Sequence, residues 1–96
     1  MNSDASRFDD IRGRVRGLLI TVADQLPVVT AGLVDELLDA NEQGVAVEML
    51  SEMLVQSNAR ISPETMAVFE DVVVAMGLNS ANVDRLRPLM IDRGAS

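Results

Sequence analysis

From Arg7 to Leu26 the apolar residues Phe8, Ile11, Val15, Leu18, Leu19, Val22 and Leu26 recur three or four apart. That is the period of an amphipathic helix and of no strand. Ser6 or Ser3 can cap its start, and Asp9 and Asp10 in the first turn suit the positive end of the helix dipole. Gly13 and Gly17 weaken such a helix by about 1 kcal/mol each relative to Ala. Their spacing suits either the close approach of another helix or a tolerated place on the Arg-bearing side. Pro27 ends the element, because its ring pushes the preceding residue out of the helical region, and it can begin the next helix without losing a needed donor.

A second helix is predicted from Val28 or Thr30 to Ala40, burying Leu33, Val34, Leu37 and Leu38 and exposing Asp35, Glu36 and Asp39. Asn41 suits a left-handed helix end, and Gly44 offers conformational freedom in a short turn, so a helical hairpin should follow. Its second arm, about Glu42 to Gln56, buries Val45 or Ala46, Met49, Leu50, Met53 and Leu54, with both methionines read as core gap-fillers. Ser62-Pro63-Glu64 is a start signal: a capping serine, a proline in the first helical position and an acid in the first turn. The fourth helix runs to Met76 with Met66, Phe69, Val72, Val73 and Met76 inward, and Gly77 stops it. Val72-Val73-Val74 favours a strand in isolation but lies inside a well-capped helical pattern. Asn79 or Ser80 caps a shorter fifth helix with Val83, Leu86, Leu89 and Met90 inward, and Pro88 should kink or split it.

No segment alternates as a half-buried strand, and no repeat or low-complexity linker divides the chain. The expectation is an all-α fold, a compact bundle of four to five short helices, in a single domain over residues 1–96 with 1–5 and 93–96 frayed.

Composition narrows the chemistry. Ninety-six residues support one core, and an aromatic share of 2% leaves Leu, Val, Ile and Met to fill it. The absence of cysteine removes disulfides, thiolate metal sites and thiol nucleophiles; the absence of histidine removes the usual proton shuttle and the commonest zinc ligand. An enzyme is not expected, nor a catalytic residue, a metal or a cofactor. The start Met1-Asn2-Ser3-Asp4 is polar, and the longest apolar stretch, Leu18 to Ala23, falls far short of the roughly twenty residues that span a bilayer. A cytoplasmic protein with no membrane contact is expected. All eight basic residues are arginine, from which no function is drawn.

Charge is distributed unevenly. Between Ala23 and Val72 ten acids stand against the single Arg60, a formal charge of −9, while each flank carries +1 within a total of −7. Asp35, Asp39, Glu42, Glu48 and Glu52, with Glu36 beside them, fall at helical spacing around the turn Asn41-Glu42-Gln43-Gly44, with no basic partner one turn away. Like charges at this spacing repel by roughly 0.2–0.5 kcal/mol per pair, so they do not serve the helices themselves. Solubility is one account of such a face; a cationic partner is the other. Asp35/Asp39 and Glu48/Glu52 are close enough to act as coupled acid and base, but there is no nucleophile arrangement or phosphate loop, and Asp39-Ala40-Asn41-Glu42 departs from a calcium loop after three positions. Direct nucleic-acid binding by this face is disfavoured, since phosphates call for Lys and Arg. Arg7, Arg12, Arg14 and Arg16 form a small basic strip on the first helix, for which pairing with Asp9 and Asp10, or contact with the acidic hairpin, is favoured over a nucleic-acid footprint. A carboxylate array can instead occupy a phosphate-binding site or steer to a basic protein, and a nuclease-like toxin is a natural partner.

The run Leu37-Leu38-Asp39-Ala40-Asn41-Glu42-Gln43-Gly44-Val45-Ala46-Val47-Glu48-Met49-Leu50, followed by Ile61-Ser62-Pro63-Glu64, resembles the MafI-type immunity proteins of bacterial polymorphic toxin systems. These are small helical antidotes in which a helix ends in a short polar turn, the next opens Gly-aliphatic-Ala-aliphatic-Glu, and a later one starts Ile-Ser. The likeness covers about half of the chain, roughly Val34 to Met76. It departs from the family at Asn41 and Gln43, around which the family's turn often carries a His or an aromatic. The resemblance implies an antitoxin-like protein that binds a cognate toxin domain in the producing cell and blocks it by occlusion. With a nuclease as the toxin, the contact residues would be Asp35, Asp39, Glu42, Glu48 and Glu52, flanked by Glu36. Glu48 has a structural alternative, bracing the hairpin by bonding to backbone at the turn. The competing functional reading is a helical adaptor or regulatory module, homodimeric through Val29, Val45, Val47 and Val55.

Overall fold

Each predicted apolar stripe becomes a helix, and the five stripes face one another. The computed structural model describes the backbone of residues 3–91 and the side chains of residues 9–91. Within that span lie α1 (Ser3–Val22), α2 (Val28–Asp39), α3 (Gln43–Gln56), α4 (Pro63–Met76) and α5 (Ala81–Asp84). A single 3₁₀ turn, Ala23–Gln25, tightens the end of α1, and another, Arg87–Leu89, carries Pro88 and makes the expected split after α5.

α1 packs against α2, α3 and α4; α2 and α3 pair as a hairpin, and α5 lies against α3 and α4. Ile11, Val15, Leu18, Leu19, Val22 and Leu26 are all buried, as the period required, against Val34, Leu38, Leu50, Leu54, Met66, Phe69, Val72 and Val73. Phe69 is the one aromatic ring in a core that is otherwise aliphatic among the described residues. Full burial of each such side chain contributes about 1.5–3 kcal/mol.

The predicted boundaries follow from local chemistry. Ser62 Oγ accepts from the Thr65 amide at 3.1 Å, Pro63 occupies the first position of α4, and Gly77 closes it in the left-handed region at φ 66°. Asn79 Oδ1 accepts from the Ala81 amide at 2.9 Å and so begins α5. Asn41 adopts φ 60°, the left-handed end foreseen for α2. The loop between α3 and α4 is pinned from two sides. Gln25 donates to the Arg60 carbonyl and accepts from its amide, both at 2.8 Å, while the Ile61 amide donates to the Leu89 carbonyl at 3.1 Å and Ile61 accepts from the Ile91 amide at 2.7 Å.

Several expectations are corrected. The helical backbone of α1 begins at Ser3, so Ser6 lies inside the helix, and Asp9 and Asp10 lie beyond its first turn. Residues 1–2 and the tail at 93–96 lie outside the described residues, as does the side chain of Phe8. Gly13 and Gly17 face open space, so no helix approaches them closely. Gly44 sits within α3 at ordinary helical backbone and packs near Leu78, so the turn does not draw on its freedom. Leu33 is 44% exposed, Met49 and Met53 are only partly buried, Met90 is 40% exposed, and Val47 is wholly buried where an exposed dimer contact was expected; of the alternatives Val45 and Ala46, Ala46 is the buried one and Val45 is 44% exposed. Among the described residues no helix is long and apolar enough to cross a membrane.

Candidate partner-binding surface

The two arms of the hairpin carry their acids on different edges. One edge of α2 faces α1, whose Arg16 stands 38% exposed at the contact. Its Nε donates to Asp35 Oδ1 at 3.1 Å and its Nη2 to Asp39 Oδ1 at 2.8 Å. The hydrogen bond that Arg16 donates to Asp39 raises the guanidinium pKa above its ordinary value; partial desolvation opposes this, and the charges of Asp35 and Asp39 add to it. One turn earlier, Arg12 donates to Asp9 and reaches across to Asn41 Oδ1 at 3.0 Å, tying the hairpin turn to α1. Arg14 pairs with Asp10 at 3.2 Å. The basic strip of α1 is therefore engaged within the molecule at Arg12, Arg14 and Arg16, while the Arg7 side chain lies outside the described residues.

Glu36, Glu42, Glu48 and Glu52 are exposed, and among the described residues none has an arginine within ion-pair distance. Glu52 accepts one long bond from Gln56 at 3.4 Å. The turn that Glu48 was an alternative candidate to brace is held by other groups: the amides of Asn41 and Glu42 donate to the carbonyls of Leu38 and Leu37, and Arg12 bonds to Asn41.

Between the arms runs a groove of about 420 Å³, lined by Thr30, Leu33, Val45, Met49 and Met53, with Glu48 and Glu52 on its α3 edge. Thr30 is buried at its base, and Leu33 and Val45 form its lips. Glu36 lies three residues beyond Leu33 and seven beyond the exposed Val29, which places it on the exposed side of α2 one turn from that lip. The apolar groove thus has carboxylates along its α3 edge, with Glu36 exposed one turn from its α2 lip. Among the described residues no three His, Cys, Asp or Glu side chains converge to hold a metal ion.

Of the six acids predicted from sequence, Glu48 and Glu52 line the groove, Glu36 is exposed one turn from Leu33, Asp35 and Asp39 are gathered by Arg16, and Glu42 precedes α3 at the turn. Sequence reasoning missed the groove itself. The signal was present in the width of the apolar arc on α2: Val34 and Leu38 fill the buried stripe, so Val29 and Leu33 are surplus to one inward face.

Compared with family models, with curated proteins and with solved structures, the chain finds no match in any of the three.

Proposed function

We propose that this chain is an immunity-type protein: it binds a basic toxin domain, of the nuclease kind, through the α2–α3 hairpin and blocks it by occlusion, with no chemistry of its own. The observation that carries the reading is a set of exposed carboxylates, Glu36, Glu48 and Glu52, without basic neighbours among the described residues and set beside exposed apolar side chains. Such an array supplies long-range attraction to a cationic surface, and the groove supplies the burial that holds it. The pattern at Leu37 to Leu50 points the same way.

The test is rescue of growth. Co-expression with the toxin domain encoded beside this chain should restore growth, and Glu48→Lys with Glu52→Lys should abolish the rescue while the thermal melt stays in place. Undiminished rescue by that double variant would rule out this face. The adaptor reading draws on Val28 and Val29, both well exposed at the start of α2. It predicts no rescue by the unaltered chain.

A further inference from the structure

Resting on the reading just given, we propose that the α2–α3 groove receives a single amphipathic helix of the partner. Its aliphatic side chains lie on Leu33, Val45, Met49 and Met53, and its arginines or lysines reach Glu48 and Glu52 on the α3 edge and Glu36 one turn from the α2 lip.

Four observations fix this occupant. First, the groove is bounded by two antiparallel helices of 12 and 14 residues. These are about 18–21 Å long at 1.5 Å per residue, the length of three to four turns of a docked helix. Second, both walls are helical, so their backbone donors and acceptors are already paired. An extended strand would find no edge to join, and recognition must run through side chains. Third, two of its lining side chains are the methionines Met49 and Met53, whose unbranched thioethers adapt to side chains of different shape. Fourth, the charges at and beside the groove are of one sign, Glu48 and Glu52 lining it and Glu36 one turn from Leu33, with no arginine in ion-pair reach of the three among the described residues.

That last point selects among occupants. A second copy of this chain carries −7 itself, and mating two such grooves would press Glu48 and Glu52 against their own kind. An anionic lipid surface or a nucleic acid is repelled for the same reason. A cationic helix satisfies both the apolar lining and the acids at and beside it.

The experiment exploits composition: the chain has no Trp and no Tyr, so a Trp in a probe peptide reports alone. The probe is a synthetic helix of about fourteen residues on an alanine background, with Leu and one Trp along a single stripe and Arg on both flanks. It should bind the full chain saturably, with a blue-shifted Trp emission, and release as salt rises. Replacing the Leu stripe by Gln, or the flanking Arg by Glu, should each weaken binding by about tenfold or more. So should Leu33→Gln with Val45→Gln in the protein; both residues are half-exposed, and an unchanged thermal melt excludes misfolding.

The proposal is overturned by any of four results: no binding, equal binding of the Gln-stripe peptide, equal binding of the Glu-flanked peptide, or indifference to the Leu33/Val45 change. Self-association of the chain in sedimentation, lost with Val45→Gln, would give the groove to a second copy and also overturn it. Growth rescue separates this inference from the reading beneath it. Failure of Glu48→Lys/Glu52→Lys alongside full rescue by Leu33→Gln/Val45→Gln would end the helix-in-groove idea and leave the acidic hairpin standing. Full rescue by both variants would end both.

Discussion

The two edges of the hairpin hold the same kind of side chain at the same helical spacing and meet different fates. Asp35 and Asp39 face α1 and are bridged by Arg16; Glu48 and Glu52 face away from it and border an open apolar groove. The first edge contributes to how the bundle holds together, and the second is available to something outside it. A charge count along the chain treats both alike. What separates them is which helix lies opposite, and that is a property of the fold.

Both edges depend on one buried ridge, so the strongest way to break the contrast is to remove its support. Leu38 is fully buried where α2 meets the core, between the arginine-bridged edge and the groove. Leu38→Ala should lower the unfolding free energy by about 2–5 kcal/mol in urea titrations. It should weaken a cationic helical probe as well, because the Leu33 lip is carried on the same helix. A stability close to that of the unaltered protein would mean that the two edges are not mounted on a common frame.

Gly44→Ala is a smaller and opposite perturbation. A Cβ at this position would lie 3.6 Å from Leu78 Cδ2 and 3.9 Å from Met76 Cε, both ordinary contacts, and the backbone there is helical. Alanine should therefore fit and stabilise the groove-bearing arm by about 0.5–1 kcal/mol, read as a rise in melting temperature. Gly77 differs because its φ of 66° disfavours any side chain. A destabilised Gly44→Ala would show that the hairpin needs freedom at this residue after all, as the bare sequence suggests.

The helices were legible because their signals are local. Ser62-Pro63, Gly77 and Asn41 act within one turn of themselves, and the apolar period of α1 predicted six buried residues that the fold buries. The acids of the candidate surface were equally visible as a pattern. The groove was less so: Leu33 reads as inward, and Val45 and Ala46 stay alternatives, because hydrophobic period identifies a face without saying whether another element covers it. Val47 erred the other way, since α3 is covered on more than one side, with α1, α2 and α5 all packed on it. The role of Arg16 could be stated only generically, as contact between the basic strip and the hairpin. Its partners lie 19 and 23 residues away, where sequence spacing carries no geometry.

Arg16 also allows the finest test of the contrast. Exposed ion pairs contribute little to stability, so Arg16→Gln should shift the melting temperature less than Gly44→Ala does. Its consequence is electrostatic: Asp35 and Asp39 lose their bridge, the net charge moves from −7 to −8, and the paired edge becomes like the unpaired one. Association with a basic partner should then quicken at low ionic strength. The gain should fade toward about 1 M salt, where the screening length contracts to roughly 3 Å. The dissociation rate should hardly move, because the groove that retains the partner is untouched. If Arg16→Gln instead sped dissociation with the fold intact, the bridge to α2 would be setting the position of the groove wall. Asp35, Asp39 and the carboxylates of α3 would then belong to a single surface, and the division between a structural edge and a binding edge would be wrong.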